Sequence, residues 1–281
     1  MQQRDAFIAE IHRAAVRDNK IVFLSADLGA PALDDYRREL PAQFIHCGIS
    51  EQSMVNVAVG MALAGKRPFI YAMSPFMLRA YEQLKGAANH GVPIVVVSAG
   101  PGLSYAGAGP THYANEDLAC YRTLVNTDIY TCSTANQAAA LARHCVRTGR
   151  MTVARLERGE LPELYAPGVD LYDGFHWPES IQGVAPWLAC GYLVHRLKAA
   201  GKPVVDVYQQ NPVPPALMSR LSGLDYVIAV EEQYGPGGFG AAILEALSDR
   251  GIRTRVGRKA LPHRAIYENG TRDQLLESFG F

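Results

Sequence analysis

The chain has 281 residues, 48% hydrophobic and 19% charged, which is enough for two domains or one large one and too apolar for a disordered segment. Lysine plus arginine and aspartate plus glutamate balance at 27 each, which removes the electrostatic footprint of a nucleic-acid or membrane-surface binder. No apolar run reaches the length of a bilayer span, and the opening MQQRDAFIAEIHRAAV has no signal-peptide core. The five cysteines are scattered without a CxxC pair, so reduced thiols and a cytoplasmic setting are the expectation.

In chain order, Phe7, Ile8, Ile11, Ala14 and Ala15 recur at helical spacing, and IVFLSAD (21–27) follows as a continuous apolar strand. FIHCG (44–48) reads as a second strand and leads into a long helix over 50–64 that stops at Gly65. RPFIYA is a third strand. Ser74 and Pro75, a polar cap and a first-turn proline, open one helix to about His90. PIVVVSAG (93–100) has the composition of a strand buried on both faces of a parallel sheet. A glycine-rich loop over 100–109 separates it from a helix over 115–124. The rhythm repeats as IYTCS, a helix over 135–148 and MTVARLER. Residues 161–186 break the pattern and read as a connection. A smaller unit follows: a helix over 187–200, the strand PVVDVYQ, a helix over 215–221, the strand YVIAVEE, a helix over 240–250, the strand IRTRVG and the closing helix TRDQLLESF. Strands alternating with helices imply an α/β fold of two domains, each a mostly parallel sheet covered by helices. The expected division is 1–165, a connection over 166–185, and 186–281.

One glycine pattern is a decoy. Gly235, Gly237 and Gly240 fit G-x-G-x-x-G after a strand, but the segment about twenty residues on, IRTRVGRK, is basic where a dinucleotide site needs an acidic residue. Close helix–sheet packing is the expected use of these glycines. No His/Cys/Asp/Glu spacing suggests a metal site made by this chain alone, and no GxSxG element suggests a hydrolase.

The segment 48–83, GISEQSMVNVAVGMALAGKRPFIYAMSPFMLRAYEQ, places Glu51 at a strand-to-helix junction, at the carboxyl edge of a sheet where α/β ligands bind. From the residues alone Glu51 reads first as a complement to the helix dipole, and Phe76 as core. The words G-I-S-E-Q-x-M-V, A-x-G-x-A-L-x-G-x-R-P-F and F-M-L-R-A-Y-E-Q, however, closely resemble the pyrimidine-binding domain of transketolases and 1-deoxyxylulose-5-phosphate synthases. Ser25-Ala26-Asp27-Leu28, Gly109-Pro110-Thr111-His112 and the C-terminal VEEQYGPGGFGAAILE and NGTRDQLLESFG resemble further segments of that family, in the same order.

The resemblance implies a thiamine-diphosphate enzyme. Glu51 matches the glutamate that hydrogen-bonds N1′ of the aminopyrimidine, a task suited to a buried carboxyl because desolvation favours its protonated form. Phe76 matches the aromatic residue packed on that ring, and Asp27 belongs to the strand end beside it. Arg79, one turn after Phe76, matches the synthase branch and either meets ligand or is solvated. His112 matches a histidine near the reacting carbons, able to hydrogen-bond the donor or shuttle a proton. Arg158, and more loosely Arg4, match arginines that hold a sugar phosphate; each could equally be an ordinary surface charge.

Two positions depart from the pattern. Ala108 stands where the family has aspartate before G-P-T-H, and Pro31 where it has a phosphate-contacting serine. Fewer hydroxyl and phosphate contacts imply a modified, smaller or less phosphorylated substrate. The family's diphosphate and metal motif is also missing from these residues. A partner subunit equivalent to the family's N-terminal half would therefore hold the diphosphate with Mg2+ or Ca2+, with two copies of each chain. The expected activity is transfer of a two-carbon ketol unit from a ketose-like donor to an aldehyde. A β subunit of a 2-oxo acid dehydrogenase E1, transfer to a carrier protein and a non-catalytic pairing module are the rivals.

Overall fold

A computed structural model describes residues 1–171, 173–181 and 183–281. Its first sheet collects β1 (Ile21–Ala26), β2 (Phe44–Gly48), β3 (Arg67–Met73), β4 (Val95–Ala99), β5 (Thr127–Thr131) and β6 (Met151–Leu156) in the spatial order β2-β1-β3-β4-β6-β5, all parallel. Every residue of β1, β4, β5 and β6 is buried; β1 and β4 are the largely apolar runs expected when helices cover both faces, whereas β5 (TDIYT) and β6 (MTVARL) also bury polar and charged side chains. Side chains alternate between those faces: Ile21 and Phe23 pack with the helix α1 (Gln3–Ala15), whereas Val22 and Leu24 pack with α3 (Glu51–Leu63). The helix α7 (Ala135–Arg147) lies beside α1 and buries Ala138, Leu141 and Ala142.

The second sheet holds β7 (Trp187–Ala189), β8 (Val204–Asp206), β10 (Tyr226–Tyr234) and β11 (Arg255–Leu261) in the order β11-β10-β7-β8, also parallel. It is covered by α8 (Tyr192–Ala199), α9 (Pro215–Leu221), α10 (Phe239–Ser248) and α11 (Arg272–Ser278). One apolar cluster runs from Leu24 and Met54 in the first unit to Val205, Leu217 and Phe239 in the second, so the two sheets share a core.

Several elements differ from the sequence expectation. The helix α2 (Ala32–Glu39) was not anticipated, because its mostly polar sequence buries only Leu33 and Tyr36. The helix expected over 74–90 is divided into α4 (Ser74–Met77), a 3-10 turn (Leu78–Ala80) and α5 (Tyr81–His90); Ala80, at φ −96° and ψ 20°, interrupts the α-helical ladder. The segment 187–200 begins as the strand β7, and Gly191 at φ +60° starts a separate helix. The stretch PVVDVYQ splits between sheets: β8 stays in the second, while β9 (Gln209–Asn211) adds to β5 antiparallel and becomes the edge of the first. The helix expected over 115–124 is the shorter α6 (Asp117–Arg122).

Buried charge pins these layers. Arg155 of β6 and Asp117 at the start of α6 are fully buried and joined by two bonds of 2.9 Å, and the same guanidinium donates to Thr131 and to Gln210 of β9. Arg272 of α11 reaches across to Glu157 (2.7 Å) and Glu232 (2.9 Å), while Glu232 also accepts the Leu103 N–H. Asp206 accepts from Ser133, Gln137 and Tyr165 at 2.8 to 3.0 Å. Because loss of one partner strands a buried charge, these bonds fix how the two units meet.

Candidate functional site

The site lies at the carboxyl edge of the first sheet. Gly48 ends β2 at φ +65°, a left-handed turn that glycine makes without a Cβ penalty. Ser50 follows, its hydroxyl donating to the Cys47 carbonyl at 2.5 Å, and Glu51 takes the first position of α3. Glu51 is only 6% exposed. It sits where the helix dipole and unpaired N–H groups favour negative charge.

At the end of β3, across β1 from β2, Ser74 is fully buried with its hydroxyl 2.5 Å from that of Ser98, which in turn meets the Tyr121 hydroxyl at 3.1 Å. This relay locks the end of β3 to β4 and α6, and Pro75 starts the short helix that presents half-buried Phe76. The Arg79 guanidinium lies 5.0 Å from the Phe76 ring centroid and 4.0 Å from the Glu51 carboxylate. The expected pairing of Phe76 and Arg79 on one face therefore survives the break in the helix, because the 3-10 turn still brings positions three apart together.

The loop after β4 supplies the remaining wall. His112 sits edge-on to Phe76, with ring centroids 5.3 Å apart, and its Nδ1 is 2.9 Å from the Thr111 hydroxyl. Tyr105 stands 6.4 Å from His112 on its other side, and Arg158 covers the Tyr105 ring at 4.8 Å. An unbroken row of side chains thus runs from Glu51 through Arg79, Phe76, His112 and Tyr105 to Arg158. Arg4 joins its far end. The Gln3 side chain donates to the Cys132 carbonyl and accepts the Glu157 N–H, which sets the start of α1 against the end of β6. Arg4, Arg158, Tyr105, Ser104 and Arg272 then border one cavity of about 620 Å³.

Six of the seven expected residues belong to this row or its terminal cavity. The seventh, Asp27, is exposed at the end of β1, outside the row. The departures Pro31 and Ala108 are exposed, the first preceding α2 and the second in the loop before His112. Tyr105 and Ser98 were missed, since a lone aromatic in a glycine loop and a serine near a strand end carry no periodic signal; Ser74, expected as a helix cap, caps nothing and spends its hydroxyl on Ser98 instead. Among the described residues, no group of three or more His, Cys, Asp or Glu converges as a metal site.

The other glycine-rich turn is closed by its own chain. The Glu231 carboxylate accepts the N–H groups of Phe239 and, at 2.9 Å, Gly240 at the start of α10. A Cβ at Gly238 would fall 2.0 Å from that carboxylate. The donors that would cradle a pyrophosphate are already used, and burial raises the Glu231 carboxyl to about 7.

Residues 1–163 match the family model for the transketolase pyrimidine-binding domain. The chain belongs to the transketolase family. An apulose-4-phosphate transketolase subunit from Phocaeicola vulgatus is 29% identical over 269 residues, covering 90% of this chain and 86% of that one. The 1-deoxy-D-xylulose-5-phosphate synthase of a Thermus thermophilus strain is 31% identical over 259 residues, covering 87% of this chain but 40% of the synthase. A split-gene transketolase solved as an inactive β4 tetramer superposes with a TM-score of 0.86 at 25% identity, covering 100% of this chain and 94% of the other. This transketolase-type chain therefore carries the fold and relationship of a thiamine-diphosphate transferase. No helix among the described residues is long and apolar enough to cross a membrane.

Proposed function

We propose that this chain is the pyrimidine-binding and C-terminal subunit of a two-chain transketolase that transfers a two-carbon ketol unit from a ketose-like donor to an aldehyde. The observation that carries the reading is the row from buried Glu51 through Phe76 and His112 to Arg158. A buried carboxyl at a helix N-terminus, linked through Arg79 to an aromatic ring, suits an aminopyrimidine: Glu51 would hold a proton at N1′ and Phe76 would pack on the ring. When bound, thiamine diphosphate supplies the nucleophilic carbon and the electron sink; the protein's part is to bind, orient and tune it. His112 would donate to the donor's oxygen or move its proton, Arg79 would screen the Glu51 side, and Asp27 would border the pyrimidine from β1. Arg158 and Arg4 would hold the anionic end of the donor.

In this reading residues 1–165 form the pyrimidine-binding unit, 166–185 the connection and 186–281 the C-terminal unit. The diphosphate with Mg2+ or Ca2+ belongs to an N-terminal partner subunit, two copies of each chain assemble, and the complex is cytoplasmic. Calorimetry of thiamine diphosphate with Mg2+, on the chain alone and mixed with that partner, tests the split site. Tight binding in the mixture alone supports it; tight binding by the isolated chain overturns it. A ketose and a 2-oxo acid offered as rival donors separate the transketolase from an E1-type activity.

A further inference from the structure

Tyr105 touches both ends of the site. One side of it meets His112, where the reaction is placed, and the Arg158 guanidinium lies over its ring. The ring is seated on bare backbone: Gly100 leaves β4 at φ +77°, and a Cβ there would fall 2.2 Å from the tyrosine's ring carbons. The ring fits there only because residue 100 has no side chain, and Arg158 lies over it. Its hydroxyl lies in the field of Arg158 and Arg4, both of which counteract the upward push of burial on its pKa. The phenol remains a proton donor at neutral pH, because burial dominates and raises a group that already titrates near 10. The cavity beyond it gathers Tyr105 with Arg4, Arg158 and Ser104. Two planar forks and one phenol together offer donors in several directions, as a tetrahedral phosphate uses and a flat carboxylate does not.

We propose that Tyr105 is a specificity-determining residue whose phenol, fixed on Gly100 between His112 and the Arg4/Arg158 pair, hydrogen-bonds the phosphate ester of the donor. The inference rests on the ketol-transfer reading for the direction of the substrate, but it is tested apart from turnover. Titration of inorganic phosphate into the full chain by calorimetry, with acetate as the carboxylate arm, reads the site directly. Wild type binds phosphate in preference to acetate, Tyr105→Phe binds phosphate roughly ten- to a hundredfold more weakly, and Arg158→Ala loses it. Because phenylalanine keeps the ring on Gly100, a purely structural role for Tyr105 leaves phosphate affinity unchanged. In the reconstituted complex, the same substitution raises KM for a ketose phosphate by a similar factor and by clearly more than it raises KM for the unphosphorylated ketose. Equal phosphate affinity in wild type and Tyr105→Phe, no preference for phosphate over acetate, or a KM change shared by both ketoses overturns the assignment. Failure of the ketol-transfer reading looks different: the reconstituted complex would turn over no ketose, phosphorylated or not, whatever Tyr105→Phe does to phosphate.

Discussion

Each sheet carries a strand that ends near a glycine and a helix whose first turn faces a carboxylate, yet the two places behave oppositely. At β2–α3 the carboxylate is Glu51 itself, and it opens onto a row of aromatic and cationic side chains. At β10–α10 the carboxylate comes from the preceding strand, and Glu231 turns inward to occupy the helix N-terminus. The local geometry is similar; what differs is whether the helix donors are left for a ligand or consumed by the chain. A glycine pattern therefore predicts a site only once the partners of the helix's first N–H groups are known.

The sharpest way to break this comparison is at the open end. Glu51→Ala is expected to lower kcat/KM of the reconstituted complex by about 10²- to 10⁴-fold, the range of positioned proton transfer, with little change in thermal unfolding. Steady-state kinetics alongside a melting curve would separate the two effects. Arg155→Leu acts on the frame instead. It strands Asp117 in the core and should destabilise the chain by about 3–5 kcal/mol in denaturant titration, whereas replacing both partners with apolar residues should recover much of that loss.

The closed end predicts a pH signature. Burial raises Glu231 from 4.5 to about 7 and Asp206 from 3.8 to about 6. Both carboxyls hold their protons more firmly folded than unfolded, so the stability they contribute is present below the ordinary carboxylate range. It is lost as pH rises through about 6 to 7. Glu231→Gln should remove about 3 kcal/mol of that decline between pH 4.5 and 8, measured as unfolding free energy against pH. The smallest effect is reserved for the surface: Arg264→Ala, which removes the exposed pair with Glu268, should leave the denaturant midpoint of unfolding unchanged, because solvent screens such a pair.

How legible these regions were depends on what each residue answers to. The strands β1 and β4 were readable because burial on both faces demands largely apolar runs. Glu51, Phe76, Arg79 and His112 were readable through family words, though physics alone offered Glu51 only as a dipole complement. Arg155 hid inside MTVARLER because its partner Asp117 is 38 positions away and no local pattern announces the pair. Tyr105 was hidden for a similar reason: its meaning comes from Gly100, His112 and Arg158, which only the fold assembles. The strand β7 read as helix because WLACGYLVHRL looks periodic when Gly191 is not known to take a positive φ.

The antiparallel strand β9 bears on modularity. A fragment ending before it would expose the ladder groups of β5, and would leave Thr131, Arg155 and the Thr127 carbonyl without their partners Gln210 and Asn211. Open, apolar sheet edges template intermolecular pairing. The C-terminal half thus acts for the first sheet as a built-in gatekeeper against aggregation, and a cut anywhere in residues 161–186 should yield an insoluble first half rather than two working modules.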